Sequence, residues 1–252
     1  MRGPWSASVR RRIIERMFET ARAEEIRQLQ DRIRGMQRTR LADRTLPTSQ
    51  ALAGVLPGGA LAAGGSYVVE GSTALALELL REPSRAGAWC AIVGVPDLGV
   101  EAAAAAGIDL ERLVLVPHPA EQWFAVVSAL VDAVAVVLVQ PPVRARVGEA
   151  AASRLAARLR QREGVLVSTR SWPHAHARLA VTESDWAGIG AGFGHLAARQ
   201  VTVASSSPAW QGRTRSRRLW LPDATGTVSP VVARSEEHVE GRLEEGALRA
   251  LG

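Results

Sequence analysis

"YVVEGSTALALELL", residues 67–80, decides how this chain is read. Val68-Val69 is a β-branched run, Glu70-Gly71 is a turn, Ser72-Thr73 is a helix cap, and the alanines and leucines that follow have a helical apolar pattern. A strand-to-helix step of this kind is where a G-x-x-x-x-G-K-[ST] loop wraps phosphates with its backbone amides and neutralises them with its lysine. Here the strand passes almost directly into the helix. Several loop residues and the Gly-Lys pair are missing, leaving Glu70, Gly71, Ser72 and Thr73 as a degenerate remnant. Free amides and the helix dipole at such a terminus still attract an anion weakly, but they do not make a nucleotide site.

Composition narrows the chemistry further. The chain has 252 residues, 47% of them apolar, enough for one full α/β domain with an appendage. All 31 of its basic side chains other than histidine are Arg, so lysine chemistry of every kind is excluded, including the phosphate-loop lysine and Schiff-base catalysis. The formal charge of +6 resides in residues 1–45, and the rest of the chain balances to zero, so any basic patch there must be a local cluster. One cysteine, Cys90, lies in the apolar run "AWCAIVGV" and forms no disulfide framework. There is no continuous apolar stretch of membrane-spanning length, and "MRGPWSASVRRRIIERMF" lacks a signal peptide's apolar core. A cytoplasmic protein without a membrane partner is expected.

Along the chain, residues 1–45 read as a basic amphipathic helix, with Ile26, Leu29, Ile33 and Met36 forming an apolar stripe at helical spacing. That stripe suits packing on its own domain, self-association or partner binding, or a nucleic-acid arm. Residues 46–65 are rich in Pro and Gly and read as a linker. From 66 to 230, strand-like and helix-like segments alternate. "SYVVE" precedes "STALALELLRE", "WCAIVGV" precedes a helix over 99–106, "RLVLV" one over 121–131, "VAVVLV" one over 147–162, and "GVLVST" closes the series. Such Val/Ile/Leu runs mark strands buried on both faces of a parallel sheet. After Arg178, "RLAVTESDWAGIG", "HLAARQVTVAS" and "SRRLWLP" read as short strands of an antiparallel extension, with "GIGAGFG" at 188–194 as a hairpin turn. Residues 231–252 form an acidic tail, either a frayed terminus or a partner-recognition segment.

This order of elements, together with "GVLPGGALAAGGSYVVEG" and "AAAAAGIDLERLVLVPHP", resembles the RecA-like ATPase core over about residues 52–221. More closely, "LPGGALAAGGSYVVEGS", "VGVPDLGVEAAAAAGIDLERLVLVPHP" and "RQVTVASSSPAWQGRTRSRRLWLPDATGTV" resemble ImuA-prime and its actinobacterial relatives, accessory proteins of inducible mutagenic repair. The resemblance implies a RecA-like core: a mainly parallel sheet flanked by helices, an antiparallel C-terminal extension and a long N-terminal helix. It also implies a mutasome role in translesion synthesis, beside an ImuB-like Y-family polymerase homologue and an error-prone replicative polymerase. The water-activating glutamate of that family falls near Val95 and Pro96, and its Mg²⁺-holding aspartate is matched by Gln140, which offers a metal no charge. The neighbouring Asp97 reads as a cap of the next helix. With loop, base and metal ligand all lost, no nucleotide binding, no catalysis and no cofactor are expected. Two other functions stay open: a DNA-dependent ATPase or recombinase paralogue with an altered nucleotide site, and a SulA-like cell-division inhibitor.

The strongest charge cluster is "QGRTRSRRLW". Arg213, Arg215, Arg217 and Arg218 sit beside Trp210 and Trp220 in a flexible Gly/Ser context, suited to phosphate contact and base stacking. A solvated hairpin loop and contact with an acidic protein remain alternatives. His174-x-His176 lacks a third ligand for zinc, and Ser205-Ser206-Ser207 lacks a G-x-S-x-G elbow, so neither carries chemistry. Trp123, Trp172 and Trp186 are expected at the core margins.

Overall fold

In the computed structural model the described residues are 44–190 and 193–231, excepting the side chains of 188–190 and 193–197. The expected N-terminal helix with Ile26, Leu29, Ile33 and Met36, and the tail beyond Val231, lie outside the described residues.

The first strand of the main sheet is β3 (Ser66–Glu70), following a two-stranded pair, β1 (Thr45–Leu46) and β2 (Leu61–Ala62). Helix α1 (Thr73–Arg85) follows, then β4 (Cys90–Val93), α2 (Val100–Ala105), β5 (Leu113–Val116), α3 (Trp123–Ala133), β6 (Val136–Val139), α4 (Glu149–Arg162) and β7 (Val165–Ser168). The C-terminal part is all strand: β8 (Ala177–Gly190), β9 (Phe193–Ser206), β10 (Thr214–Trp220) and β11 (Ser229–Pro230).

These strands form one nine-stranded sheet in the order β5-β4-β6-β7-β3-β8-β9-β10-β11. Six strands, from β5 to β8, run parallel, and β9, β10 and β11 extend the sheet antiparallel. Strands β4, β6 and β7 are buried at every position, as their uninterrupted Val/Ile/Leu runs require when both faces are covered. The extension differs from the expected short strands. β8 and β9 are 14 residues each and form one long hairpin, with Gly190 opposite Phe193 across the turn.

Alternation along the strands divides the core into two layers. On one face, Tyr67, Val69, Cys90, Ile92, Leu138 and Val167 pack with α1. On the other, Val68, Ala91, Val93, Val137 and Leu166 pack with Trp123 and Val127 of α3 and Leu155 and Leu159 of α4. The α3–α4 seam is tied by Asp132, which accepts from Arg158 and pairs with Arg162 at 3.6 Å.

The reading of 46–65 as a linker is corrected. Leu52, Val55, Leu56 and Leu61 are fully buried and belong to the first core layer; the 3₁₀ turn Ala53–Val55 lies against β9 and β10, and a second, Pro57–Gly59, packs on it and on β2. The Pro and Gly residues shape tight turns here, with Gly58 and Gly59 at φ +69° and +81°. The leucines between them cover the sheet extension, which has no helix of its own on this face among the described residues.

Candidate functional site

The strand order reverses between β4 and β6: the chain leaves β4 outward to β5 and returns to β6. A crevice outside the carboxyl ends of the strands at such a reversal is where open α/β sheets bind ligands. Gly94, just after β4, has φ +74°, and a Cβ there would lie 2.5 Å from the Gln140 carbonyl oxygen. Only glycine allows the ends of β4 and β6 to approach so closely.

A cavity of about 550 Å³ opens at this place. Thr73, Leu77 and Glu78 of α1 form one wall, Ala102 and Ala105 of α2 the opposite wall, and Val95, Pro96 and Gln140 the end nearest the sheet. The three positions at which the resemblance puts a phosphate loop, a base and a metal ligand therefore do converge. Their chemistry is different. Ser72 caps α1 by accepting from the Leu75 amide at 3.2 Å, and Gly71 makes the turn at φ +74°. Glu70 points to an exposed pair with Arg178 at 3.8 Å.

The lining includes two carboxylates, Glu78 and Asp97, and among the described residues no Arg or His. Asp97 is not the cap that the sequence suggested: Gly99 occupies the N-cap position of α2 without a side-chain bond. Glu78 is 5% exposed. Its Oε2 accepts from Arg81 at 3.4 Å, and its Oε1 has no hydrogen-bond partner among the described residues. Burial pushes the Glu78 carboxyl up to about 7, against the pull of the Arg81 guanidinium. Phosphates placed here would face carboxylates and hydrocarbon. Glu78 was missed in the sequence because it reads as the polar face of an amphipathic helix, whereas its side chain is buried beside the cavity that α2 and the 221–227 segment also line.

That segment closes the cavity through Leu221, Pro222, Gly226 and Thr227. Asp223 organises it by accepting from the amides of Thr225 and Thr227, both at 2.9 Å, and from their hydroxyls, both at 2.7 Å. Burial opposes ionisation of Asp223, but these four bonds prevail and hold its carboxyl well below the usual range. The Leu221–Pro222 bond is cis.

The four arginines do not act as one flexible loop. Arg215, Arg217 and Arg218 lie on β10, and Arg213 just precedes it. Strand alternation puts Arg217 on the same face as buried Leu219, and a Cβ on Gly54 would sit 3.0 Å from Arg217 Nη1, so this side chain lies over the 53–55 turn. Arg218 and Trp220 occupy the other face. Arg215 stacks on Trp210 at 4.4 Å from the ring centroid, a cation–π pair at the surface. Tertiary structure adds Arg178 and His174, which share a groove with Arg213 at Ser206–Pro208. His174 contacts Glu149, and Arg178 also donates to the Trp172 carbonyl at 3.1 Å.

The remaining candidates are structural. His176 remains exposed at one edge, its Nδ1 accepts from the Ser66 amide at 3.4 Å, and partial burial of its ring lowers its pKa. No group of three or more His, Cys, Asp or Glu able to hold a metal occurs among the described residues. Ser207 donates to the His176 carbonyl at 2.6 Å and accepts from the Ala209 amide. Cys90 is buried, with its thiol pushed up to about 12. Trp123 and Trp172 are buried within the second core layer rather than at its margin, and Trp186 is 52% exposed under the Arg199 guanidinium, against the core-margin reading. Among the described residues no helix is long and apolar enough to cross a membrane.

Two comparisons bear on the chain. The family described as MT3502 N-terminal domain matches residues 54–174, which include β3 to β7 and helices α1 to α4. The uncharacterized protein Rv3395c of Mycobacterium tuberculosis is 34% identical over 145 residues. That alignment covers 58% of this chain and 62% of the relative, so the chain spans less than two thirds of the relative's length.

Proposed function

We propose that this protein is a non-catalytic, RecA-like accessory factor of the ImuA kind, an adaptor that links an ImuB-like Y-family polymerase homologue to the error-prone polymerase machinery in translesion synthesis. The observation that carries the non-catalytic part is the cavity at the β4/β6 reversal. It is lined by Thr73, by Val95 and Pro96, and by Gln140 at the positions where the resemblance puts a phosphate loop, a base and a metal ligand. The element order and the similarity to a mycobacterial protein support the family part.

DNA is a second proposed partner, through Arg213 and Arg215 with Trp210 beside them. Self-association through the Ile26, Leu29, Ile33 and Met36 stripe, and polymerase binding through residues 231–252, rest on sequence pattern alone.

The test combines co-purification with a thermal melt. The protein is expected to co-purify with a Y-family polymerase homologue and to show no upward melting shift with Mg-ATP. Ligand at about 100 times its dissociation constant stabilises by about 2.7 kcal/mol, so the melt is sensitive. A clear shift with Mg-ATP overturns the non-catalytic reading in favour of an altered nucleotide site. Binding to the cell-division GTPase in place of the polymerase homologue favours the SulA-like alternative.

A further inference from the structure

Where β8 and β10 begin, two recesses adjoin on the surface. One, of about 380 Å³, runs from Arg178 past Ser206 and Gly212 to Arg213. The other, of about 430 Å³, holds Trp210 and Arg215, and Arg213 forms a wall of both. Their linings contain these three arginines and no carboxylate. Arg213 and Arg215 have no ion-pair partner among the described residues. Arg178 is anchored at one end, because its Nη2 donates to the Trp172 carbonyl. Its pair with Glu70, at 3.8 Å between two exposed side chains, is of a kind that contributes little, so an anion competes with it easily. A guanidinium already fixed by its own fold loses less freedom when it meets a ligand. Nothing lies within 4 Å of a Cβ built on Gly212, so the passage from Arg178 to Arg213 is open.

We propose that the two recesses form one track for single-stranded nucleic acid, with a phosphate seated between Arg178 and Arg213 and a base stacked at Trp210 and Arg215. The inference rests on the proposed DNA contact of Arg213 and Arg215 and deepens it, adding Arg178 as a contact and a single strand as the preferred substrate. The guanidinium carbon of Arg215 stands 4.4 Å from the Trp210 ring centroid. An aromatic ring beside a guanidinium is a platform for an unpaired base, and a duplex offers base faces only at its ends. Duplex phosphates meet the same arginines without the stacking, so a duplex binds more weakly. Contacts to phosphates and to the π-face of a base carry little sequence information, so the track is tolerant of sequence.

Fluorescence anisotropy of the full chain, with a labelled oligothymidylate and a duplex of equal length, reads each part. The single strand is expected to bind about tenfold more tightly than the duplex, the increment of one stacked base. Trp210→Ala is expected to erase that preference while duplex affinity stays as it was. Arg178→Ala is expected to weaken single-strand binding severalfold and to lower its salt slope by about 0.7, the value for one phosphate on a single strand. Circular dichroism checks that each variant is folded, and Arg178→Gln, which retains a donor for the Trp172 carbonyl, takes the place of an Arg178→Ala that is not. The proposal is overturned if the duplex binds as tightly as the single strand, if a folded Trp210→Ala keeps the preference, or if the folded Arg178 variant leaves affinity and slope unchanged. In each of those cases DNA binding by Arg213 and Arg215 still stands. If neither nucleic acid binds, the DNA reading falls together with the inference, and binding of polyglutamate then assigns the surface to an acidic protein.

Discussion

Glu78 and Arg81 lie one helical turn apart on α1, joined at 3.4 Å, with both side chains buried, Arg81 beside Gly107, and only one carboxylate oxygen engaged among the described residues. A pair in this position neutralises charge inside the fold without satisfying all its polar atoms. Removing one partner of a buried pair leaves an uncompensated charge, which is generally more costly than the pair itself.

The first prediction is a pH dependence set by Glu78. Its folded-state carboxyl, pushed up to about 7, binds a proton more tightly than in the unfolded chain. Stability should therefore fall as pH rises from about 4.5 through 7, then level off, by at most about 3 kcal/mol at 1.36 kcal/mol per pKa unit. Arg81, Glu82 and Arg85 on its own helix and Asp97 across the cavity are the charged groups around it. Chemical denaturation from pH 5 to 8 measures the slope, and Glu78→Gln should flatten it. A slope that survives the substitution assigns the effect to other groups.

Arg213 and Arg215 should separate from Arg217 in DNA binding. Alanine at the first two is expected to weaken duplex binding and reduce the salt slope by about 0.9 for each phosphate that is no longer neutralised. Arg217→Ala should leave binding unchanged while lowering the melting temperature, because that side chain lies over Gly54. Fluorescence anisotropy across a salt series, paired with thermal melts, reads both. Equal loss of DNA binding for all three would return them to one continuous surface.

Leu56→Ala tests whether 46–65 belongs to the core. Leu56 is fully buried in the first core layer, and truncating such a leucine costs about 2–5 kcal/mol. A urea midpoint close to that of the unsubstituted protein would make the segment a peripheral strap.

Gly94→Ala should destabilise by at least about 2 kcal/mol, since it combines a positive φ with a Cβ placed 2.5 Å from the Gln140 carbonyl oxygen. The same variant should distort the cavity end near Val95 and Pro96. A melt unchanged within error would show that the β4 and β6 ends separate easily.

Asp223→Ala removes four hydrogen bonds from the turn that closes the cavity. Because the folded-state carboxyl is held below its unfolded value, its stabilising contribution is present above about pH 4 and is lost as pH falls below that. The variant should lose stability at pH 7 and be less sensitive to acid between pH 4 and 2, as read by circular dichroism. An acid profile matching the unsubstituted protein would sink this account.

Much of the architecture was legible by local rules. The Val/Ile/Leu runs at 90–93, 136–139 and 165–168 stated that strands were buried on both faces, and the helices between them stated that neighbours run parallel. Ser72 announced the start of α1, whose N-cap it forms by accepting from the Leu75 amide. These are short-range facts about propensity, periodicity and loop length, which a chain carries wherever it folds.

What the tertiary structure alone decided depends on distant segments meeting. Leucines 52, 56 and 61 looked like punctuation in a Pro/Gly-rich stretch, yet they are core because β9 and β10, far along the chain, need a cover. Arg217 parted from Arg215, which shares its strand face, because the 53–55 turn lies over Arg217 while Arg215 stacks on Trp210. Glu78 had the same sequence signal as any exposed glutamate on a helix, yet in the fold it is a buried, half-satisfied acid at a cavity that α2 and residues 221–227 also line. Burial is a property of everything packed around a residue, and no local window of sequence contains it.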